Sequence, residues 1–498
     1  MSSETRRRFL RSSALGLAGT AAAGSWPWLH AKVEARESST AARGANGESK
    51  FGESSVGEIS VWATSEKRRF AKQDAVRWHS FSGAPAQAAT VLNIVLNPER
   101  KFQQILGFGA AFTDAACFMF NQLAAEKRAE LFHELFHPGE MGLNVCRTCI
   151  GASDYSTKVY SFDEGDADPE LKRFSIEHDR EYILPMLREA RKVNPDLFLF
   201  STPWSPPGWM KSGGSMLGGS MRQRYLPAYA QYFVKFLQGY AAEGVPVQAV
   251  SVQNEVDTDQ DGRMPACIWP QEYEIGFVKL HLGPALEQNG LKTKIWVLDH
   301  NYNLWGRAMD ELEDEGVRRY SNAIAWHAYV GKVEMISRVH DAHPDAEMFW
   351  TEGGPDYTSP DYQTDWAKWG ETFTSALRNW CRSLTGWNLA LDEHGRPNIG
   401  PFPCGGLVTI HSQTKEITHS GQYWAFAHFS RTIRRGAVRF DSQGAAEGIS
   451  HAAFENPDGT RALVITNAGP ARTAVVRIGN MEADVALDND SLTSLLWS

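Results

Sequence analysis

The chain has 498 residues, of which 42% are hydrophobic and 22% are charged, values typical of globular proteins. This composition excludes wholesale disorder and leaves enough apolar side chains for a large core. The 50 basic and 59 acidic side chains give a formal net charge of −9. Because nucleic-acid binding requires a positive surface, we expect no nucleic-acid partner and favour a protein that acts on neutral ligands.

Residues 1–33 predict an export signal and its cleavage region. A basic run at residues 5–11 precedes the Ala- and Gly-rich stretch 12–24, which is too short to span a bilayer of about 30 Å. The paired arginines followed by Phe9 and Leu10 resemble a bacterial twin-arginine signal. We therefore expect a periplasmic or secreted protein, with an uncleaved basic tail as the alternative.

Residues 34–57 are rich in Ser, Ala, Gly and Glu, a composition that predicts a disordered linker. Two strand-like runs follow within residues 58–104, at 59–62 and 91–97, and Pro98 is expected to end the second. No later stretch is long and apolar enough for stable membrane insertion.

Residues 105–436 alternate short apolar strands with amphipathic helices such as 181–192 and 226–243. Eight strands are expected, at 105–112, 143–148, 197–202, 248–253, 294–299, 323–329, 348–351 and 383–390. Eight strand–helix repeats predict an α/β fold with a parallel (β/α)8 TIM barrel.

Residues 437–498 lose the helical period and show alternating strand runs at 461–466 and 473–478, which predict a side β-sandwich. The early strands at 58–104 have no partners of their own, so we expect them to join this sandwich. The second domain is thereby predicted to contain strands from both ends of the chain.

The six cysteines are too few for a disulfide scaffold in so long a chain, and we expect mostly buried thiols. Cys146 and Cys149 are three residues apart on a predicted strand, so their side chains should face opposite sides and not share a metal. The sequence contains no P-loop and no Gly-x-Ser-x-Gly elbow. We therefore expect no cofactor and no metal.

Catalytic residues of such barrels lie at the carboxyl ends of the strands. Glu255 follows the fourth predicted strand and Glu352 ends the seventh, so the two carboxylates should face each other across the barrel mouth. Paired carboxylates can act as general acid/base and nucleophile on a glycosidic bond. Asp299 and His300, at the end of the fifth strand, are given no special role.

Five motifs, in order, resemble those of glycoside hydrolase family 30. They are GFGAAFTD (residues 107–114), TPWSPPGWMK (202–211), VQNE (252–255), WTEG (350–353) and GWNLALD (386–392). The similarity runs from about residue 58 to the C-terminus and is greatest for the glucosylceramidase-like branch. This resemblance implies a retaining β-glycosidase that hydrolyses β-glucosidic bonds of a β-linked glucoside or glucan through a glycosyl-enzyme intermediate.

The resemblance also assigns roles to individual residues. Glu255 is expected to be the acid/base and Glu352 the nucleophile. The residues expected to bind or orient the substrate are Arg147, Asp154, Trp204, Asn254, His327, Tyr329 and Trp387, with Asp114 and Asn398 as further pocket candidates. Arg147 is expected to keep Glu352 ionised, and the charge of Glu352 is expected to raise the pKa of Glu255.

Two departures from the family leave the substrate open. Val256 follows the catalytic Asn-Glu pair where the family often has proline, and the loop 257–269 is largely polar. Such loops shape the outer subsites. The alternatives to a glucosylceramidase are an endo-β-1,6-glucanase, a β-xylosidase or a β-fucosidase-like enzyme of the same family, or a non-catalytic carbohydrate-binding protein. The aglycone and the oligomeric state also stay open.

Overall fold

The computed structural model of the protein describes residues 57–81 and 92–498. The predicted export signal, 1–33, and the predicted linker up to residue 56 lie outside the described residues. Val91, the first residue of one predicted strand, lies outside them as well.

Eight parallel strands close into a barrel, which confirms the predicted (β/α)8 fold. In chain order these strands are β1 (Gly107–Phe112), β2 (Val145–Cys149), β3 (Phe198–Thr202), β4 (Ala249–Ser251), β5 (Lys294–Asn301), β6 (Ala323–His327), β7 (Glu347–Glu352) and β8 (Cys381–Gly386). Each strand is hydrogen-bonded to its neighbours in this order, and β8 closes on β1. The eighth predicted strand was too long, because Asn388 has a φ of 58° and Ala390–Leu391 pairs in a separate sheet.

The α-helices of the described chain are Asp114–Asn121, Ala125–Phe136, Glu177–Glu181, Ile183–Val193, Leu226–Ala242, Gln271–Phe277, Gly283–Gln288, Trp305–Glu313, Glu315–Arg318, Glu334–Ala342, Trp366–Arg378 and Gly421–Ser430. A π-helical turn, Val278–Leu282, joins two of them. Short 3-10 turns occupy Gly208–Met210, Gln223–Tyr225, Gln260–Gly262 and Tyr302–Leu304. A small sheet near the barrel mouth contains Ala390–Leu391, Val408–Ile410 and Ile417–His419. Among the described helices, none has both the length and the apolar character that a bilayer span requires.

The second domain is one eleven-stranded sheet whose inner side chains meet in a single apolar core. Its strands are Glu58–Ser65, Arg68–Lys72, Val76–Arg77, His79–Ser80, Leu92–Gln104, Val438–Gln443, Ile449–Glu455, Arg461–Asn467, Arg472–Ile478, Met481–Leu487 and Ser491–Trp497. Glu58–Ser65 pairs with Ser491–Trp497, and Leu92–Gln104 lies between Val438–Gln443 and Arg472–Ile478. Both ends of the chain therefore build this domain, as predicted.

Pro98 does not end its strand, contrary to the sequence-based expectation. The strand Leu92–Gln104 continues through it, and its register against Val438–Gln443 jumps from Asn97 to Lys101. Pro98 lies in the resulting bulge, where a residue without an N–H removes no ladder hydrogen bond.

All six cysteines are free thiols, and Cys404 is the one that is not fully buried. Cys146 packs in the main barrel core, whereas Cys149 packs in a separate cluster with Trp204 and Trp387. The two side chains thus belong to different faces of β2, as their spacing predicts.

The two domains share a packed interface through strand Arg461–Asn467. Leu463 and Ile465 point into the sandwich core, whereas Ala462 and Val464 pack with the barrel residues. The helix Trp366–Arg378 lies against this second face of the sheet. Because the strand is buried on both faces, its sequence is a nearly continuous run of apolar residues.

Gly370 allows this helix to approach the sheet. A Cβ atom there would lie 2.5 Å from Thr466 Oγ1 and 2.7 Å from Leu492 Cδ2. Gly-to-Ala replacement within a helix normally stabilises by about 0.5–1 kcal/mol, but overpacking here costs about 1–3 kcal/mol. We expect Gly370→Ala to lower the Tm in thermal denaturation.

Gly276→Ala is the matched control, because Gly276 is also helical and a Cβ there meets nothing within 4 Å. Its Tm should stay equal or rise. A Gly370→Ala protein as stable as Gly276→Ala would contradict the close helix–sheet contact.

Candidate active site

A cavity of about 510 Å³ opens at the carboxyl ends of the barrel strands. The predicted site residues that line it are Glu255, Glu352, Asp154, Trp204, Asn254, Tyr329 and Trp387. The sequence had placed these side chains on different strand ends, and the closed barrel brings them to one mouth.

The two candidate catalytic carboxylates contact opposite sides of the same imidazole ring. His327 Nδ1 lies 3.6 Å from Glu255 Oε1, and His327 Nε2 lies 3.9 Å from Glu352 Oε2. Both contacts are ion-pair distances, longer than hydrogen bonds. The paired arrangement expected from the sequence is therefore present in the fold.

Glu255 is held in an unusual backbone conformation, with a φ of 53°. Its N–H donates to the carbonyl of Asp299 at 3.1 Å, and the preceding Asn254 N–H donates to the carbonyl of Pro203 at 2.9 Å. Left-handed non-glycine residues cost about 1–3 kcal/mol and persist where surrounding bonds determine them. These bonds to neighbouring strand ends fix the backbone that carries the carboxylate.

Glu352 is bound on both oxygens. Oε2 accepts a hydrogen bond from Arg147 Nη1 at 2.6 Å, and Oε1 accepts one from the Tyr329 hydroxyl at 3.1 Å. Arg147 is fully buried and also donates through Nη2 to Asn254 Oδ1 at 2.8 Å. These contacts fix the orientation of Glu352 and leave the Asn254 amide nitrogen to donate to a ligand.

Asp299 is the most highly connected carboxylate of the site. It is fully buried and accepts from the carboxyl ends of five other barrel strands: Arg147 Nη2 (2.7 Å), Thr202 Oγ1 (3.0 Å), Ser251 Oγ (2.5 Å), His327 Nε2 (3.1 Å) and Thr351 Oγ1 (2.6 Å). Burial raises the pKa of Asp299, but the charge of Arg147 and the contact with His327 outweigh it, so the pKa lies well below its usual range. Asp299 is therefore a permanent anion beneath the cavity.

Two stacked tryptophans and a buried acid form the inner wall of the cavity. The rings of Trp204 and Trp387 are 4.9 Å apart with an interplanar angle of 18°, and the Arg147 guanidinium lies 4.6 Å from the Trp204 ring. Asp154 Oδ1 is buried without a protein partner. Burial, followed by the charges of Glu352 and Glu255, raises the pKa of Asp154 well above its ordinary value. A flat apolar wall beside a free carboxyl oxygen suits a sugar ring and its hydroxyls.

Residues 105–433 match the model of the glycosyl hydrolase family 30 TIM-barrel domain, and residues 436–495 match that of the family 30 beta sandwich domain. The chain belongs to glycosyl hydrolase family 30. It is therefore a glycoside hydrolase, with the barrel mouth as its candidate active site.

Relatives of this family 30 enzyme include endo-1,6-beta-D-glucanases and glucosylceramidases. An endo-1,6-beta-D-glucanase from Neurospora crassa is 32% identical over 407 residues, covering 78% of this chain and 83% of the relative. The lysosomal acid glucosylceramidase of Mus musculus is 27% identical over 402 residues, covering 76% and 78%. The structure of an endo-β-1,6-glucanase superposes with a TM-score of 0.80 at 29% identity, covering 89% of this chain and all of that one.

The structure places four of the predicted residues outside the cavity. Arg147 and His327, grouped from the sequence with the residues that bind or orient the substrate, are both fully buried and do not line the cavity. Arg147 contacts Glu352, and His327 lies between Glu255 and Glu352. Asp114 is also outside the cavity, where its carboxylate binds His178, Tyr182 and the Thr157 N–H. Asn398 bonds within its own loop, to Phe402 and Gly400.

The pKa shifts at the two glutamates run opposite to the sequence-based expectation. Burial, together with the charges of Glu255 and Asp299, raises the pKa of Glu352 despite the charges of His327 and Arg147. Burial likewise favours neutral Glu255, but the contact with His327, the charges of His300 and His327 and the Gln260 amide lower its pKa. Despite burial, the charges and contacts of Glu352, Asp299 and Glu255 raise the pKa of His327 to about 9.

Sequence reasoning gave Asp299 and His300 no role because it could not see a β-bulge. The register of β5 against β6 shifts between Leu298 and His300, and Leu298 and Asp299 have φ values of 71° and 46°. The Glu274 carboxylate accepts the freed Leu298 N–H at 3.0 Å. The bulge changes which side chains of β5 point into the barrel, and no glycine marks its position in the sequence.

Three further residues surround Glu255 that sequence reasoning did not select. Gln260 Nε2 donates to Glu255 Oε2 at 2.8 Å, and His300 Nδ1 lies 3.9 Å from Glu255 Oε1. His300 Nε2 lies 2.6 Å from Asp257 Oδ1. The polar loop 257–269 was the signal for Asp257 and Gln260. Ligand atoms of Glu255, His300 and His327 lie within 4.8 Å of one another, close enough to hold a metal ion.

Asp299→Asn tests whether this carboxylate holds the site together. The amide removes one of the two carboxylates that pair with the fully buried Arg147, and breaking a buried ion pair costs about 3–5 kcal/mol. We expect a large drop in Tm together with loss of most of the kcat/KM. Asp345→Asn is the control, since Asp345 pairs with Arg318 at 2.7 Å in an exposed ion pair worth about 0–1 kcal/mol. Equal effects of the two variants would contradict the assignment.

Proposed function

We propose that this family 30 enzyme is a retaining β-glycosidase that cleaves β-1,6-glucan within the chain. The observation that supports a hydrolytic pair most directly is that Glu255 and Glu352 contact one imidazole ring at the mouth of the same cavity. Such a pair can serve a double displacement, in which one carboxylate attacks and the other transfers protons.

In the proposed first step, Glu352 attacks the anomeric carbon and forms a glycosyl ester. The bond to the leaving oxygen breaks, and Glu255 gives that oxygen a proton. In the second step Glu255 removes a proton from water, which attacks the same carbon and releases Glu352. Arg147 and Tyr329 hold the Glu352 oxygens in place throughout.

Proton placement is the main electrostatic requirement of this scheme. The reactive form needs ionised Glu352 and protonated Glu255, whereas the pKa shifts favour the proton on Glu352 in the empty site. As the reaction proceeds, positive charge develops on the sugar ring and stabilises the ionised form of Glu352. Negative charge develops on the leaving oxygen and favours proton transfer to it from Glu255. In this proposal the substrate therefore favours ionised Glu352 and protonated Glu255.

A polar wall beside Glu255 supports a sugar as the leaving group. Asp257, Thr258 and Gln260 line the cavity next to the proposed acid, as do Asn301 and Asn303. These side chains can bind hydroxyl groups of a second glucosyl unit, and apolar lipid chains would leave them unpaired. The names of the endo-1,6-glucanase relatives point to the same class of substrate.

Glucosylceramide is the second candidate substrate, because part of the rim is apolar. Tyr329, Val330 and Phe402 line the cavity and are exposed. An exposed apolar rim can contact alkyl chains or the apolar face of a sugar ring. The mouse relative carries the corresponding name.

Glu352→Gln and Glu255→Gln should have different effects on turnover. Without its nucleophile, Glu352→Gln should lose activity on every substrate. Glu255→Gln should lose about 10²–10⁴-fold in kcat/KM on substrates whose leaving group needs a proton. On an aryl glycoside with an acidic phenol, the rate of its first step should fall much less. Burst kinetics and steady-state kcat/KM measure both effects.

Azide provides the matched control for the second step. It needs no general base, so it should restore turnover of Glu255→Gln and give a glycosyl azide, but leave Glu352→Gln inactive. Proton NMR of fresh wild-type product should show the β anomer first. Equal loss in both variants without azide rescue, or initial release of the α anomer, would remove these roles.

The products formed from a linear β-1,6-glucan test the substrate. We expect oligosaccharides of several lengths at early times, because an endo-acting enzyme cuts within the chain. Size analysis by chromatography measures this, with Glu352→Gln as the inactive control. Release of glucose alone, or a higher kcat/KM on micellar glucosylceramide, would overturn the glucanase proposal in favour of an exo-acting enzyme or the second candidate.

A further inference from the structure

Two buried histidines present an unpartnered nitrogen to Glu255. His300 Nδ1 and His327 Nδ1 are both buried without a hydrogen-bond partner. They lie 3.9 Å and 3.6 Å from the same atom, Glu255 Oε1. Glu255 could transfer protons without either of these nitrogens, so its proposed catalytic role does not explain why both face it.

The far nitrogen of each ring is held by a carboxylate. His300 Nε2 lies 2.6 Å from Asp257, and His327 Nε2 lies 3.1 Å from Asp299. A carboxylate on Nε2 fixes the proton there and turns the lone pair of the neutral ring to Nδ1. Histidines that ligate metals are oriented by carboxylates in this way.

We propose that Glu255, His300 and His327 bind one divalent transition-metal ion, with Zn²⁺ as the best match, in a reversible inhibitory site. Two imidazoles and one carboxylate are a donor set that Zn²⁺ accepts, with the fourth position left for water or a sugar hydroxyl from the cavity. The ion would be held by the ends of β5 and β6 and by Glu255, in the segment after β4.

Binding requires the three ligand atoms to move closer together. Zn²⁺ bonds of about 2.0–2.1 Å place tetrahedral ligand atoms about 3.3–3.4 Å apart, against the 3.6 Å and 3.9 Å contacts to Glu255 Oε1 and a separation of all three ligand atoms within 4.8 Å. Glu352, Asp299 and Glu255 favour a charged His327, so the ion has to displace a proton from it. Zinc affinity should therefore fall as the pH is lowered.

The expected consequence follows from the lone pairs of Glu255. A carboxylate bound to Zn²⁺ neither carries a proton for the leaving group nor accepts one from water. Bound zinc should therefore stop turnover, and a chelator should restore it. This inhibitory half rests on the proposed acid/base role of Glu255, whereas metal binding itself does not.

Binding is tested on the full chain with Co²⁺ as a spectroscopic probe and Zn²⁺ as its competitor. The wild type should bind one equivalent with the visible absorption of four-coordinate Co²⁺, which Zn²⁺ then abolishes. His300→Asn should lose this signal. Asp257→Asn keeps all three ligands and should weaken the affinity about 10–100-fold by removing the orienting carboxylate; Asp257 lies in a partly exposed loop, so this variant should fold.

A surface histidine pair provides the matched control. His133 and His137 stack at exposed positions one helical turn apart, a second place where zinc could attach. His137→Asn should leave the four-coordinate signal unchanged. A signal that disappears in His137→Asn but persists in His300→Asn would overturn the proposal, as would a wild type that gives no four-coordinate spectrum.

Activity is then followed against free Zn²⁺ in the wild type and in Asp257→Asn. Asp257→Asn should need about 10–100-fold more zinc for half-inhibition than the wild type, and substrate should protect both. Spectroscopic binding without inhibition would retain the metal site and contradict the role of Glu255. Absence of binding in an active enzyme would overturn the metal site and leave the proposed function intact.

Discussion

The buried ion pair between Arg147 and Asp299 is the constraint on which the site depends. Two charges without access to water are stable together and costly apart, and here the pair also receives hydrogen bonds from the ends of the surrounding strands. The same guanidinium holds Glu352 and Asn254, while the same carboxylate holds His327. Moving either charge would therefore move the groups that face the sugar.

This pairing also changes the electrostatics that a simple motif predicts. An arginine beside a glutamate normally keeps the glutamate ionised, but Arg147 is paired with Asp299 as well, and the charge of Asp299 acts against ionisation of Glu352. Burial therefore raises the pKa of Glu352, whereas His327, His300 and Gln260 lower the pKa of Glu255. Because these groups interact closely, their protonation states belong to the cluster and not to either glutamate alone.

Much of the architecture could be predicted from the sequence because it depends on periodicity. Apolar strands spaced by amphipathic helices gave the barrel, and the unpartnered strands at both ends gave the mixed second domain. The family and seven of the cavity-lining residues followed from motifs and strand ends. What could not be predicted were departures from regular alternation, namely the bulge that turns Asp299 inward and the bulge that accommodates Pro98. The depth of a side chain was not visible in the sequence either, so Arg147 and His327 were grouped with residues that line the cavity, although both are buried beneath it.

The loop that shapes the leaving-group side also contacts the proposed acid. Glu255 is fixed at its backbone by the barrel, through the carbonyl of Asp299, but at its carboxylate by Gln260, from the polar loop. Gln260 and Asp261 adopt left-handed conformations without glycine, so this segment is held in a specific shape. In the proposed mechanism, a change in the loop that moves Gln260 therefore alters both the fit of the leaving group and the environment of the proton that Glu255 transfers. The proposed nucleophile, Glu352, is held instead by Arg147 and Tyr329.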